Sequence, residues 1–468
     1  MSPNRKVKIS ELLTNTKNVV EKYPDLSPDV RDSISSLIDT VKVLANELGL
    51  NSRNSSKPPS SDRKLFPKKS TVPGRKKKPG GQRGHKGFRL EPMDNPTSVE
   101  FLEIDRRTLP DGNWQPGGVE KRQVIDVDVS ITVTEYQSEV LVNQYGETFY
   151  AEFPPEVTEP VQYGAGVRAT SVYLSQHQFI PQARVQDVFE SQFGLKITKG
   201  SVNNFNHYAA EILRTWSFQD WLKRTALSSE LLFADETGTN IDRKNFWIHC
   251  LCNEKLSFFH VDPKRGSDAM DRMDVLPKYK GRLVHDHWKS YFKYFCLHVL
   301  CNAHHMRELE RAYEQDGCDW AKKMAKLLLR IKRETENSGG KLTDRQVNYY
   351  EKKYRTILIT GLQEYPVEDI QKSQSKSRNL LDRLLAYEDE TLRFMTDKVV
   401  PFTNNNAERD LRMNKVQQKI SGCFRTLRGA QDFCLIRSYL STCRKNDIQP
   451  VEALRRLFKG DPPDFLKK

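Results

Sequence analysis

The chain has 468 residues, which is long for one domain and predicts two to four folded units. Its formal net charge of +14 predicts a polyanionic partner, with nucleic acid as the first candidate and an anionic membrane surface as the second. No run of about 18 apolar residues occurs, so no membrane span is expected. The first residues lack the apolar core of a signal peptide, which predicts a cytoplasmic protein.

The composition of the N-terminal region changes after residue 50. Residues 1–50 are predicted to be helical because apolar residues recur at helical spacing, and Ser27 followed by Pro28 is typical of a helix start. A small helical hairpin and a dimerising coiled coil both fit this pattern. Residues 51–96 are rich in Ser, Pro, Gly, Lys and Arg, which predicts a disordered basic linker that contacts DNA phosphates.

Two further segments follow the linker. Residues 97–160 alternate Val and Ile with polar residues, so a β-rich domain is predicted. Residues 161–225 contain three apolar-periodic segments with Pro181 and Gly194 at the joints. This pattern predicts a helix-turn-helix-like domain, although a small helical bundle that does not bind DNA gives the same pattern.

The eight cysteines all lie in the C-terminal half of the chain, mostly in apolar segments. None forms a Cys-x-x-Cys pair, so the spacing indicates no structural zinc site. In a large intracellular protein such cysteines are expected to be reduced core thiols rather than disulfides.

Residues 226–305 contain five apolar runs that predict strands. Three form an antiparallel meander, a fourth follows, and a fifth runs into a helix, which is the order of an RNase H-like α/β core within a multidomain α+β chain. Asp235 is expected to end the first strand and Asp286 the fourth. Because those strands are neighbours in such a sheet, their carboxylates would converge. Carboxylate oxygens are the ligands that Mg²⁺ prefers.

A third carboxylate is needed to complete such a site. Glu408 and Asp410 are both candidates, in the first turns of a helix that the Asn run at 404–406 is predicted to start. An ordinary solvated helix explains the same pattern. Basic residues suited to a substrate phosphate surround the two acids: Arg409, Arg412, Lys415 and Lys419.

Six motifs occur in order along the chain. They are NSRNSSKPPSSD at 51–62, PGGQRGHKG at 79–87, DETG at 235–238, HDHW at 285–288, CNAHHMREL at 301–309 and NNAERDLR at 405–412. Together they resemble the transposases of the insertion sequence 66 group over roughly residues 40–445. The resemblance implies a DDE-type DNA transposase of a bacterial insertion sequence. Asp235, Asp286 and Glu408 would then be its catalytic metal ligands, rather than Glu236 or Asp410.

The resemblance also implies chemistry and partners. A pair of Mg²⁺ or Mn²⁺ ions would serve hydrolysis of a phosphodiester at the element end and transfer of the 3′-OH into target DNA. The implied partners are transposon-end and target DNA in the bacterial nucleoid, further copies of the chain, and accessory proteins of the same element. His304 is expected to orient a neighbouring group rather than bind a metal. DNA contacts are expected from Lys76, Lys77, Lys78, Arg83, His85, Lys86, Arg409, Arg412 and Lys419.

Similar transposases carry a helical insertion before the catalytic Glu, and residues 306–398 are predicted to form it. Residues 399–445 would complete the core, and residues 446–468 would form a C-terminal tail. The cysteine-rich zinc segment common in the family has no counterpart after the linker, so zinc is not expected. Two rival functions remain: a non-catalytic DNA-binding relative, and an RNase H-like nuclease that cuts without strand transfer.

Overall fold

A computed structural model describes residues 3–48, 90–365 and 375–467, which combine helices and sheet in an α+β chain as predicted. The chain divides into two compact units, of which the smaller is residues 67–134. No helix within the described ranges has both the length and the apolar character that a membrane crossing requires.

The N-terminal helical prediction is matched by two helices, α1 (Pro3–Glu21) and α2 (Pro28–Leu48), the second of which begins at the predicted proline. Most of the predicted basic linker lies outside the described residues. The same is true of six predicted DNA contacts: Lys76, Lys77, Lys78, Arg83, His85 and Lys86.

The predicted β-rich domain at 97–160 is matched by one short hairpin only, β1 (Val140–Val142) and β2 (Thr148–Tyr150). Only the last three residues of the alternating run that motivated the prediction, residues 123–142, form a strand, β1, and Val124 and Val133 are 94% and 88% exposed. Alternation shows that a segment can form a strand, whereas a strand also needs a partner for its backbone N–H and C=O groups. No partner strand for residues 123–139 is found within the described ranges.

Four helices occupy the segment predicted to resemble a helix-turn-helix. They are α3 (Ala165–Val172), continued by a π-helical turn at Tyr173–His177, then α4 (Gln182–Phe193), α5 (Lys199–Thr215) and α6 (Phe218–Leu227). Pro181 precedes α4, and Gly194 ends it in the left-handed conformation that glycine adopts readily, so both predicted joints are observed.

A five-stranded sheet follows, built from β3 (Leu231–Ile241), β4 (Lys244–Cys252), β5 (Ser257–Asp262), β6 (Arg282–His285) and β7 (Leu297–Leu300). The strand order is β5-β4-β3-β6-β7. As expected, β3, β4 and β5 form an antiparallel meander, and β6 and β7 add in parallel. The short helix α7 (Ser267–Met273) separates the two groups of strands.

The prediction that Asp235 ends its strand is wrong, because β3 continues to Ile241. Pairing with β6 stops at Phe233, whereas the antiparallel pairing with β4 runs from Phe233 to Ile241. The polar residues that suggested the end of the strand lie within the β3–β4 hairpin, where pairing with β4 keeps them in the strand. Asp235 therefore lies where β3 loses its parallel neighbour.

Helices cover both faces of the sheet because its residues alternate between two apolar clusters. Phe233 and Val284 belong to a cluster with the helices that follow β7, and Leu232 and Leu283 belong to a cluster with α5 and α6. The helices after β7 are α8 (Asn302–Asp316), α9 (Asp319–Asn337), α10 (Asp344–Glu364), α11 (Lys376–Ala386) and α12 (Glu388–Thr396). The described part of the predicted insertion is thus helical.

Three helices complete the chain: α13 (Asn405–Ser421), α14 (Leu427–Lys445) and α15 (Pro450–Phe458). The prediction that residues 446–468 form a tail needs correction, because helix α15 packs into the second apolar cluster, where Leu454 and Leu457 are fully buried. Six of the eight cysteines are buried free thiols, as predicted, whereas Cys296 is partly exposed and Cys423 is exposed.

Candidate functional site

The first two predicted carboxylates belong to neighbouring parallel strands. Phe233 of β3 lies opposite Val284 of β6. Continuing this register by two residues places Asp235 opposite Asp286, which directly follows β6. Matched positions of parallel neighbours project to the same face of a sheet. Both carboxylates therefore lie on the face that carries Phe233.

Burial and like charges raise the pKa of both carboxyl groups. Burial is the largest cause for Asp235, whose pKa is raised well above its usual range. The negative charges of Glu236, Asp286 and Glu408 raise it further. The pKa of Asp286 is raised to about 6, mainly by burial and then by the charge of Glu236. The charges acting on Asp235 thus come from three separate segments of the chain.

Helix α13 carries Glu408 in its first turn, and hydrogen bonds near both of its ends hold this helix alongside β3. At its start, the buried Asn404 donates from Nδ2 to the carbonyl oxygen of Ala234 at 2.8 Å. Near its end, Gln418 Nε2 donates to Thr239 Oγ1 at 2.7 Å. Packing of α13 against β3 therefore places Glu408 on the same side of the sheet as Asp235 and Asp286.

The Asn run starts α13 as predicted, but its side chain does not cap the helix. Asn404 makes no side-chain cap hydrogen bond: its Nδ2 donates to the carbonyl oxygen of Ala234, and its Oδ1 accepts no hydrogen bond from the described residues. The backbone N–H of Asn404 donates to Cys301 Sγ at 3.1 Å. This residue thus joins the start of α13 both to β3 and to the start of α8.

The surroundings of Glu408 include one histidine and one arginine. Its Oε1 is buried and has no hydrogen-bond partner among the described residues, as is also true of His304 Nδ1. The two atoms are 3.8 Å apart, and Arg307 Nη2 lies 3.6 Å from the same oxygen. Burial, with the charge of Arg307, lowers the pKa of His304 to about 4, so its imidazole is neutral at neutral pH.

The two acids next to the predicted ligands are engaged elsewhere. Glu236 accepts from Arg265 Nη2 at 2.7 Å and from the hydroxyl of Tyr291 at 2.6 Å. Asp410 accepts from Lys445 Nζ at 2.7 Å and, through the same oxygen, from the Ser257 hydroxyl. Carboxylates neutralised in this way are poor candidates for metal ligands.

The sequence did not predict the network around Glu236. The guanidinium of Arg265 lies 4.9 Å from the ring centroid of Trp247 and 4.3 Å from that of Trp288. Strand alternation places Glu236 on the opposite face from Asp235, and this was the only signal available in the sequence. The basic residues predicted on α13 are exposed at its surface: Arg409, Arg412 and Lys419.

The donor set suits a hard divalent cation such as Mg²⁺, which takes oxygen ligands. Within the described ranges, no Lys, Arg or His forms an ion pair with Asp235 or Asp286. Glu408 adds a buried oxygen that lacks a hydrogen-bond partner among the described residues. Partly buried carboxylates grouped in this way repel one another, and a cation held among them would relieve that repulsion.

Replacing Asp286 with Asn is expected to stabilise the metal-free protein at pH 8. The pKa of Asp286 is about 6 in the folded chain against a reference of 3.8, so folding favours the protonated carboxyl group. The stability that this group contributes is therefore present below about pH 4 and lost as pH rises through about 6, where the carboxyl group ionises in the folded chain. The shift corresponds to about 3 kcal/mol at most. Asn retains an oxygen for the Trp288 N–H.

Thermal denaturation with a chelator at pH 8 and pH 4 tests this expectation. The melting temperature of Asp286→Asn should exceed that of the native chain at pH 8 and equal it at pH 4. Asp262→Asn is the control, and it should lower the melting temperature at pH 8 because it removes the carboxylate that Arg272 contacts at 2.6 Å. A native chain more stable than Asp286→Asn at pH 8 would contradict the expectation.

Comparison with known protein families gives two matches. Residues 3–91 match a family of unknown function, DUF6444. Residues 160–432 match the model described as Transposase IS66 family, which covers the described helical segment, the sheet and all three carboxylates. No match was found among curated proteins. Since the second match covers more than half of the chain, the chain belongs to the IS66 transposase family.

Proposed function

We propose that the chain is a DDE-type DNA transposase that hydrolyses a phosphodiester at the ends of an insertion sequence and joins the resulting 3′-OH to target DNA. Asp235, Asp286 and Glu408 are its catalytic acids. The observation that carries the proposal is the strand register that places Asp235 opposite Asp286, with the helix of Glu408 tied to β3 beside Asp235. Membership of the IS66 transposase family supports it.

The sheet is proposed to be an RNase H-like core. Its support is the order β5-β4-β3-β6-β7, with an antiparallel meander followed by two parallel strands. In this arrangement Asp235 lies in β3, Asp286 directly follows the adjacent strand β6, and α13 carries Glu408 on the same side of the sheet. The helices between β7 and α13 then form an insertion within that core.

Asp235, Asp286 and Glu408 would hold one or two Mg²⁺ or Mn²⁺ ions. Bound there, the ions supply charge neutralisation and activation for an in-line phosphoryl transfer. The protein positions the acids on two strands and one helix, so that they are fixed before substrate arrives. Partial burial of Asp235 and Asp286 strengthens their interaction with a cation because it limits their contact with bulk water.

The exposed basic residues of α13 are proposed to contact DNA phosphates, because Arg412 lies one turn beyond Glu408 on the same helix. Replacing Arg412 with Ala is expected to weaken binding about equally for all DNA sequences and to reduce the salt dependence by about one phosphate contact. Fluorescence anisotropy over a range of salt concentrations measures both. Arg455→Ala, an exposed arginine on α15, is the control and should bind as the native chain does.

Element ends are handled in pairs during such a reaction, so the active form is proposed to contain more than one copy of the chain. Accessory proteins of the same element could assist it. Two rival functions make different predictions for the same assay. A DNA-binding relative without activity cuts nothing, and a nuclease cuts without joining.

The test is a strand-cleavage and strand-transfer assay with labelled element-end DNA and a target plasmid, in Mg²⁺ or Mn²⁺, comparing the native chain with Asp286→Asn. Joined product from the native chain alone supports the proposal. Cleavage without joining favours the nuclease. DNA binding with no cleavage by either protein, even with the other products of the element present, overturns the catalytic assignment.

A further inference from the structure

A second group of potential ligands lies beside the three carboxylates and differs from them in chemistry. It consists of Cys301, His304 and Glu408, whose Sγ, imidazole nitrogen and carboxylate oxygen all lie within 4.8 Å of one another. Cys301 is buried, and the other two are partly buried. A thiol, an imidazole and a carboxylate together are a mixed donor set, which favours a borderline ion such as Zn²⁺ over Mg²⁺.

The fold builds this group from the starts of two helices. Cys301 immediately precedes α8, and His304 lies in its first turn, so the spacing of three residues puts both on one side of the helix. The backbone N–H of Asn302 donates to the carbonyl of Phe402 at 3.1 Å, which ties the start of α8 to the segment before α13. Glu408 enters from α13.

Two of the three donors lack a hydrogen-bond partner. His304 Nδ1 and Glu408 Oε1 are buried, 3.8 Å apart, and without such a partner among the described residues. Buried polar atoms are nearly always satisfied, so an unsatisfied pair that faces a thiol indicates a missing ligand. Arg307 Nη2, 3.6 Å from Glu408 Oε1, is the competing cation.

We propose that Cys301, His304 and Glu408 bind a thiophilic divalent ion of the Zn²⁺ type, with a fourth position open to water. The ion would share Glu408 with the catalytic acids. Its binding would therefore withdraw Glu408 from Asp235 and Asp286, and Zn²⁺ would inhibit the Mg²⁺-dependent reaction. This last consequence rests on the proposed function, whereas the binding itself does not.

The other mixed cluster among the described residues does not carry the same inference. Cys250 and Cys252 of β4 lie near Asp410. The same oxygen of Asp410 already accepts from both Lys445 and Ser257. A cation there would have to displace an ammonium group at 2.7 Å, so this cluster is satisfied without a metal.

The binding test is a titration of the metal-free full-length chain with Co²⁺, followed by absorption spectroscopy. Thiolate coordination gives a near-ultraviolet charge-transfer band, and tetrahedral geometry gives strong visible bands. We expect both in the native chain and in Cys423→Ser, which removes the exposed cysteine and serves as the matched control. We expect Cys301→Ser to lose the charge-transfer band. A native chain without the band, or a Cys301→Ser chain that keeps it, overturns the proposal.

A second variant, His304→Asn, keeps the Cys301 thiol and tests the proposal independently of Cys301→Ser. Its Co²⁺ affinity should fall by at least about tenfold, and unchanged affinity overturns the proposal even if Cys301→Ser does not fold. Strand-cleavage assays with fixed Mg²⁺ and increasing Zn²⁺ test the shared carboxylate. The native chain should be inhibited at lower Zn²⁺ than Cys301→Ser. Cobalt binding without any DNA cleavage would leave this site standing and count against the proposed function alone.

Discussion

Replacing Glu408 with Gln is expected to reduce strand cleavage and joining by about a thousandfold or more, with DNA binding unchanged. The substitution keeps the size of the side chain and removes the negative charge that acts on Asp235. Glu408 lies in the first turn of α13, and its Oε1 has no hydrogen-bond partner among the described residues. The substitution therefore removes charge from the proposed metal site without breaking a hydrogen bond of Oε1, although it also weakens the 3.6 Å ion pair with Arg307.

Asp410→Asn is the matched control on the same helix. Asp410 pairs with Lys445 at 2.7 Å, and both side chains are nearly buried. The variant should lose about 1–3 kcal/mol of folding stability, because Lys445 keeps a buried charge without its partner. Its activity per folded molecule should stay within a few-fold of the native value. An inactive Asp410→Asn together with an active Glu408→Gln would exchange the roles of the two acids.

Replacing Asn404 with Ala is expected to reduce cleavage by about a hundredfold, since an error of about 1 Å in the position of a catalytic group has an effect of that order. Asn404 is fully buried and donates to the carbonyl of Ala234, the residue before Asp235. Without this hydrogen bond the start of α13 is no longer held to β3, and Glu408 moves away from the other acids.

Metal affinity distinguishes positioning from a purely structural role for Asn404. The variant should bind Mn²⁺ more weakly while its KM for DNA is unchanged, as measured by calorimetry and by steady-state kinetics. Asn406→Ala is the control, since the side chain of Asn406 accepts only a long hydrogen bond, 3.4 Å, from Arg409. If Asn404→Ala lowers only the melting temperature, the residue stabilises the fold and does not position Glu408.

The strand pattern around the site could be predicted from the sequence because each strand is a short apolar run bounded by polar residues. The runs ending near Asp235 and Asp286 gave the positions of β3 and β6 and the adjacency of the two acids. The length of β3 could not be predicted, because its second half is polar and is held by pairing with β4 up to Ile241. Pairing is a tertiary property that local composition does not report.

Long-range contacts account for the other differences. Nothing near Asn404 in the sequence indicates that its amide reaches Ala234, 170 residues away in the chain. Spacing alone left Glu408 and Asp410 as alternatives; the motif resemblance favoured Glu408, and the ion pair of Asp410 with Lys445, a contact between two helices, is what the structure adds. The alternating run at 123–142 shows the opposite limit: its composition is strand-like throughout, but among the described residues only its last three residues, Val140–Val142, have a partner strand.

The most direct test of the central claim is an anomalous diffraction measurement at the manganese absorption edge on crystals of the full-length chain grown with Mn²⁺. The claim is that Asp235, Asp286 and Glu408 form one metal site. It predicts anomalous density bounded by these three carboxylates and absent from crystals of Asp286→Asn. Manganese bound only elsewhere, or an unchanged peak in Asp286→Asn, would contradict the claim.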